Sequence, residues 1–305
     1  MSDRCRAERE SACRPVSPTK ISAILSVRFE ERMITFYHII NPYWGPVGSE
    51  GFRVQERTLE SLAVASAFCR DAVDVKYILR VDREDGDIES LALRLPNRSI
   101  QHLTRFSIDV ADFTIKRRLP LLSDMFRVSM SADSKCHVIY TNMDICVAPY
   151  FYTECARLLA EGVDCMVINR RTVDKGYIDL PLAEGFTSAS RSHPGHDCFV
   201  FPVSFLHKAT LSESVLGIGY VFRPLLLNCI LHFGERFREY DDYYLTMHFG
   251  DDMDWKDQRY DDYLEYNKTQ LINIWHRLAA ERAAACTSAY VSGQLQKHFP
   301  FAFLK

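Results

Sequence analysis

The chain has 305 residues, 47% of them hydrophobic and 25% charged, with a formal net charge of −3. That is enough chain to bury a full core, and one large domain fits it as well as two small ones. The near-neutral balance leaves no basic stripe that would mark nucleic acid as an obligatory ligand. No apolar run is long enough to span a bilayer, because the longest, 215–233, is broken by Arg223, Pro224, Asn228 and His232.

Residues 1–20 are polar and carry Pro15 and Pro18, so they read as a tail without a signal peptide. Runs 21–27 and 33–40 are apolar and β-branched and predict strands. Residues 41–51 hold Pro42, Gly45, Pro46, Gly48 and Gly51, a loop composition. Helical spacing follows over 57–69 through Leu59, Leu62, Ala65 and Phe68, then a strand over 74–81. Strand, loop, helix, strand is a βαβ unit, which implies a parallel sheet. Segment 84–98 is acidic and irregular. The spacing over 113–126 predicts a helix interrupted at Pro120. A strand at 137–140, a helix at 149–159 with Pro149 in its first turn, and a strand at 163–169 continue the alternation. The chain then turns irregular until a closing helix over 271–285. The ten cysteines are scattered without a C-x-x-C pair. That pattern argues against a structural zinc site and for reduced, buried, small hydrophobes, as in a cytoplasmic protein.

The chemistry concentrates at strand ends, where open α/β sheets bind ligands. Asn41, Asn142, Asp144 and Asn169 all occupy such positions. Asn142 and Asp144 follow the strand 137–140 one residue apart, so an extended chain presents both oxygens on one side. Two hard oxygens in that arrangement suit Mg²⁺ or Mn²⁺ holding a diphosphate; they equally suit a turn in which each side chain bonds its own backbone. His248, with Gly250 two residues on, offers an imidazole ligand and a close backbone approach for a phosphate, or else a loop histidine among acidic residues. Asp197 stands where the polar segment Ser192-His193-Pro194-Gly195-His196 enters a strand over 198–201. It reads as a general base or as the carboxylate of a structural turn. His193 and His196 form a weaker metal pair, since Pro194 and Gly195 preclude a helical presentation. Arg117 and Arg118 are placed to clamp a diphosphate, with Asp124 close by, or else to form a solvated face. Asn169 and Arg170 line an acceptor pocket or cap a strand. Late aromatics (Tyr240, Tyr243, Tyr244, Trp255, Tyr260, Tyr263, Tyr266) suit sugar stacking or plain packing. There is no G-x-G-x-x-G after the first strand and no G-x-x-x-x-G-K-[ST], so the dinucleotide and P-loop readings lose their main support.

Together these pieces resemble the GT-A class of nucleotide-sugar glycosyltransferases over roughly 33–267. Tyr140-Thr141-Asn142-Met143-Asp144-Ile145 is similar to the D-x-D motif, with asparagine replacing its first aspartate. His248-Phe249-Gly250, with Trp255 behind it, is similar to the late histidine segment that completes the metal site there. The resemblance implies an α/β fold: an open, mostly parallel sheet with flanking helices, a Rossmann-like nucleotide half at about 21–150 and an acceptor half at about 151–270. Both halves fall within a single catalytic domain at 21–285, followed by a C-terminal tail at 286–305. It implies transfer of a sugar from a nucleoside-diphosphate sugar, a UDP-sugar by preference, to an acceptor hydroxyl of unknown identity. It further implies Mn²⁺ or Mg²⁺ on Asp144, Asn142 and His248, with Asp197 as the catalytic carboxylate. Asn41, Pro42, Arg117, Arg118, Asp124, Thr141 and Gly250 would hold the donor; Asn169, Arg170, His193, His196, Asp252 and Trp255 would face the acceptor. Two departures stand out: Asn142 removes one negative charge from the metal motif, and Asp251 and Asp252 occupy positions where relatives place a lysine near the diphosphate. A nucleotidyltransferase that makes a nucleotide sugar, and a non-catalytic domain of the same fold, are the alternatives.

Overall fold

A computed structural model describes residues 33–300 except Trp44, Asp87, Ala132, Ser134 and 252–255. The predicted strand at 21–27, the tail at 1–20, Asp252 and Trp255 lie outside the described residues. The βαβ unit begins with β1 (Ile34–Ile40), α1 (Glu50–Cys69) and β2 (Val73–Val81). Ser49 caps α1 by accepting from the Phe52 amide at 3.3 Å, so the helix starts well before the apolar spacing becomes visible. The remaining strands of the main sheet are β3 (Arg98–His102), β4 (Cys136–Thr141), β6 (Cys165–Ile168), β9 (Cys198–Pro202) and β10 (Phe237–Tyr240).

These seven strands pair in the order β10-β6-β9-β4-β1-β2-β3. β1 runs parallel to both β2 and β4, β2 to β3, and β10 to β6, while β9 runs antiparallel to β4 and β6. The result is the expected α/β architecture, an open and mostly parallel sheet with helices on both faces. Alternation along β4 shows why both faces must be covered: Val138 and Tyr140 enter one core, and Ile139 enters the other. On one face lie α1 and α2 (Phe151–Ala160), through Leu59, Leu62, Phe151 and Tyr152. On the other lie α3 (Arg223–Phe233), α4 (Asp261–Arg277) and α5 (Ala289–His298), through Leu226, Ile274 and Leu295.

A second sheet decides where the site forms. It contains β5 (Cys146–Val147), β7 (Arg171–Val173), β8 (Arg191–Ser192) and β11 (Thr246–Phe249), in the order β5-β11-β7-β8. The chain passes from β4 to β5 through 142–145 and from β6 to β7 through Asn169 and Arg170. Both crossings leave polar side chains in the seam between the sheets, at the carboxyl end of the parallel strands.

Three expectations need correcting. Segment 113–126 is helical only over Leu122–Met125. Before that it is an arm tied down by bridges Phe106–Pro120 and Leu121–Val215. Its amides find partners outside a helix: Thr114 N donates to Asp262 at 2.6 Å and Arg117 N to the Tyr263 hydroxyl at 3.2 Å. The closing helix expected at 271–285 is two helices, α4 and a separate Ala279–Ala285. Residues 289–298, expected within a tail, form α5 and bury Val291 and Leu295.

Candidate active site

β11 pairs with β5 so that Met247 faces Cys146, which carries His248 toward the segment preceding β5. There His248 Nε2 lies 3.2 Å from Asp144 Oδ2. Its other nitrogen, Nδ1, donates to the Gly250 carbonyl at 2.9 Å. That bond fixes the tautomer and leaves the Nε2 lone pair directed at a carboxylate oxygen. Two acceptors this close need a proton or a cation between them. With a proton, burial disfavours the imidazolium, but the hydrogen bond and charge of Asp144 outweigh it and raise the His248 pKa. For Asp144, burial pushes the carboxyl up, while His248 and the Arg170 charge bring it below the ordinary value. Asp144 Oδ1 is buried and has no hydrogen-bond partner. A carboxylate with one orphaned oxygen beside an oriented imidazole is a donor set that fits a divalent ion, and the imidazole favours Mn²⁺ over Mg²⁺. Gly250 itself sits at φ 79°, and a Cβ there would run into the Lys175 side chain.

Asn142 is held differently. Its Oδ1 accepts from the Tyr140 hydroxyl at 3.1 Å, and its Nδ2 donates to Asp197 Oδ1 at 3.1 Å. Asp197 Oδ2 receives Arg170 Nη1 at 2.8 Å in a buried ion pair. Both oxygens of the expected base are therefore occupied, and the Asn142–Asp197–Arg170 chain braces the 142–145 crossing against the β6–β7 crossing. His193 lies close by, with Nδ1 3.7 Å from Asp251. Asn169 is buried and donates to Asp241 at 2.6 Å and to Glu239 at 3.3 Å. His196 turns the other way from Asp197, toward Glu239 at 3.3 Å.

Beside Asp144 a cavity of about 460 Å³ opens at the strand ends. Its lining includes Tyr140, Asn142, Asp144, Asn41, Asp82 and Arg118, with Leu216 and Gly217. Arg117 and Arg118 both line it, each with a protein partner. Arg118 clamps Asp82 bidentately at 2.6 and 2.9 Å and lies over the Phe106 ring, and Arg117 donates to the Tyr260 hydroxyl at 2.9 Å. Pro42, Asp124, Thr141 and Gly250 do not line this cavity. Thr141 points into the core and meets His38 Nε2 at 2.9 Å. Asp124 is buried in an ion cluster with Arg127 at 3.0 Å and Arg105 at 3.9 Å. The described late aromatics are engaged in packing: Tyr263 stacks on Phe113 at 3.7 Å, and Tyr240 on Tyr243 at 4.9 Å.

Sequence reasoning passed over Asp82, Asp85, Asp241 and Glu239. A single carboxylate in or after a strand carries no pattern; only its position near the carboxyl edge of a parallel strand singles it out.

No protein-family model matches the chain, and no curated protein matches its sequence. Several solved structures align with most of its length. S. aureus TarS aligns at 11% identity and a TM-score of 0.45, covering 79% of this chain and 40% of its own. M. tuberculosis glucosyl-3-phosphoglycerate synthase aligns at 15% identity and a TM-score of 0.45, covering 87% and 85%. The mannosyltransferase PcManGT from Pyrobaculum calidifontis, solved with GDP-Man and Mn²⁺, aligns at 11% identity and a TM-score of 0.44, covering 93% and 88%. This chain thus spans 40% of the length of TarS. No described helix is long and apolar enough to cross a membrane.

Proposed function

We propose that this chain is a GT-A-type glycosyltransferase that takes a nucleoside-diphosphate sugar and requires a divalent cation, Mn²⁺ before Mg²⁺. The observation that carries the reading is the meeting, at 3.2 Å, of His248 with Asp144, which lines a cleft at the carboxyl ends of the parallel strands. Asp144 and His248 would hold the ion, with Asn142 behind them, held by Tyr140 and Asp197. When bound, the ion would act as a Lewis acid and stabilise the leaving diphosphate. The cleft residues carry the rest of the donor. Asp82 and Asp85 offer carboxylates to ribose hydroxyls or base N–H groups. Arg117 supplies a guanidinium whose neutral partner, the Tyr260 hydroxyl, leaves its charge available to phosphate.

On the acceptor side, Asn169, Arg170 and His193 stand at the sheet seam. Asp197 remains the proposed catalytic carboxylate. It can take a proton from an acceptor hydroxyl only after releasing the Asn142 amide or Arg170, so in the resting arrangement it positions both.

Calorimetric titration with UDP and GDP, first with Mn²⁺ and then with EDTA, tests the reading. Binding should require Mn²⁺ and should weaken at least about 100-fold in Asp144→Ala, since even outer-shell changes at a metal site cost about 10–100-fold. Failure of every nucleoside diphosphate to bind with Mn²⁺, or unchanged binding by Asp144→Ala, would overturn it. Release of pyrophosphate from a nucleoside triphosphate and a sugar phosphate would select the nucleotidyltransferase alternative.

A further inference from the structure

A second group of metal-ligating side chains stands apart from Asp144 and His248. His196 precedes β9, Glu239 lies on β10, and His298 ends α5. Their donor atoms fall within 4.8 Å of one another. His196 Nε2 is 3.3 Å from Glu239 Oε1, and His298 Nε2 is 2.9 Å from Glu239 Oε2. Donors on one tetrahedral ion with bonds near 2.0–2.2 Å sit about 3.4 Å apart, so the 3.3 Å separation already suits a shared centre and the 2.9 Å one need open only by about half an ångström. All three side chains are almost fully enclosed, at 4–5% exposure. His196 Nε2 is buried and faces Glu239 Oε1 at 3.3 Å, in a contact too poorly aligned to be a good hydrogen bond. A buried imidazole nitrogen that is poorly satisfied is costly, and a cation at the centre would give it a well-directed partner.

We propose that His196, Glu239 and His298 form a site for a Zn²⁺-class divalent cation that staples the C-terminal helix α5 to the sheet. Two imidazoles and one carboxylate are a borderline donor set that suits zinc better than magnesium. Lys297 now occupies part of the place of such an ion, with Nζ 2.5 Å from Glu239 Oε2. It is half-exposed and already within 3.4 Å of Asp241, which can receive it when the ion enters. Arg223 holds the His298 carbonyl at 2.8 Å and so fixes the end of α5 without using Nε2. His193 takes no part, since it faces Asp251.

The test uses the full chain carrying Asp144→Ala, which removes the other metal site, stripped with EDTA and titrated with Zn²⁺, with Co²⁺ absorption reporting tetrahedral coordination. One equivalent should bind. His196→Gln and His298→Gln, each checked for native circular dichroism, should weaken binding at least about 100-fold. Lys297→Met removes a cation that competes for Glu239 and should tighten binding by about tenfold or more. The Lys297 arm decides the matter even if a histidine variant fails to fold. Absence of Zn²⁺ binding, binding unchanged in both histidine variants, or binding no tighter in Lys297→Met would overturn the site.

Discussion

His38 lies on β1 without exposed surface, with Nδ1 2.7 Å from the Tyr152 hydroxyl and Nε2 2.9 Å from Thr141 Oγ1. These neutral partners satisfy an uncharged ring, and burial pushes its pKa down from 6.5 to about 3. Unfolding exposes an imidazole that titrates near its ordinary value. Between the two values the unfolded chain binds a proton that the folded chain does not, so the stabilising contribution is present above pH 6.5 and lost as the pH falls toward 3. At 1.36 kcal/mol per unit, the loss by pH 5 is about 2 kcal/mol. Melting of the native chain and of His38→Gln from pH 7 to 5 should therefore show a steeper decline for the native chain. His137, His196 and His232 are also lowered by burial, but both proteins share them, so the difference isolates His38. Parallel curves would mean that His38 keeps its proton in the fold. At this scale the sequence singled out candidate residues but not which of them are already partnered. Arg118 reads as a phosphate clamp until Asp82 is seen to hold it. Asp197 reads as a free base until Arg170 is seen beside it. Both pairings join segments far apart in the chain, and nothing local in the sequence records them.

The elements themselves were legible where they are long. Strands β1, β2 and β4 are apolar runs and α1 has helical spacing, so the parallel half follows from periodicity. The second sheet was not legible, because β5 and β8 have two residues each and carry no period at all. The helix expected over 113–126 is mostly an arm because its apolar residues are matched to α4, through Phe113 on Tyr263, instead of to a helix of their own. The C-terminal helix was missed for the opposite reason: α5 is mostly polar, and only Val291, Leu295 and His298 are buried. Its contribution can be measured. Leu295 is 1% exposed and sits in the core shared with α3 and α4. Leu295→Ala should cost about 2–5 kcal/mol in urea unfolding, through lost burial and the cavity left behind. Gln296→Ala, on the exposed side of the same helix, should stay within about 0.5 kcal/mol. A Leu295→Ala cost below about 1 kcal/mol would mean that α5 is docked loosely on a core that stands without it.

At the scale of the whole molecule the sheet is shared property: alternate residues of each central strand feed opposite cores, so neither core can be dismantled while the other keeps its strands. The cysteines give a direct way to observe this. Among the described residues eight are unbridged, seven of them buried and Cys286 exposed. Cys165 and Cys229 lie in the core on the α3 face, and Cys69, Cys155 and Cys198 in the core on the α1 face. Burial raises the thiol pKa of Cys155, Cys165 and Cys198, so these groups stay protonated and unreactive as well as inaccessible. With a pulse of alkylating reagent and peptide mapping, Cys286 should label at once in the folded protein while the buried set stays protected. Across a urea series Cys229 and Cys155, on opposite faces, should become labelled at the same midpoint, as a single cooperative transition requires. Separate midpoints would show that one helical layer leaves before the sheet does. The layer whose cysteines labelled first would then be the low-stability end of the molecule, from which moving parts of a site are drawn. Coincident midpoints instead place the cleft, which is built on β1, β2 and β4, on the most cooperative part of the fold. There Asp144 and the cavity wall are held in place before any ligand arrives, and little ordering cost remains to be met on binding.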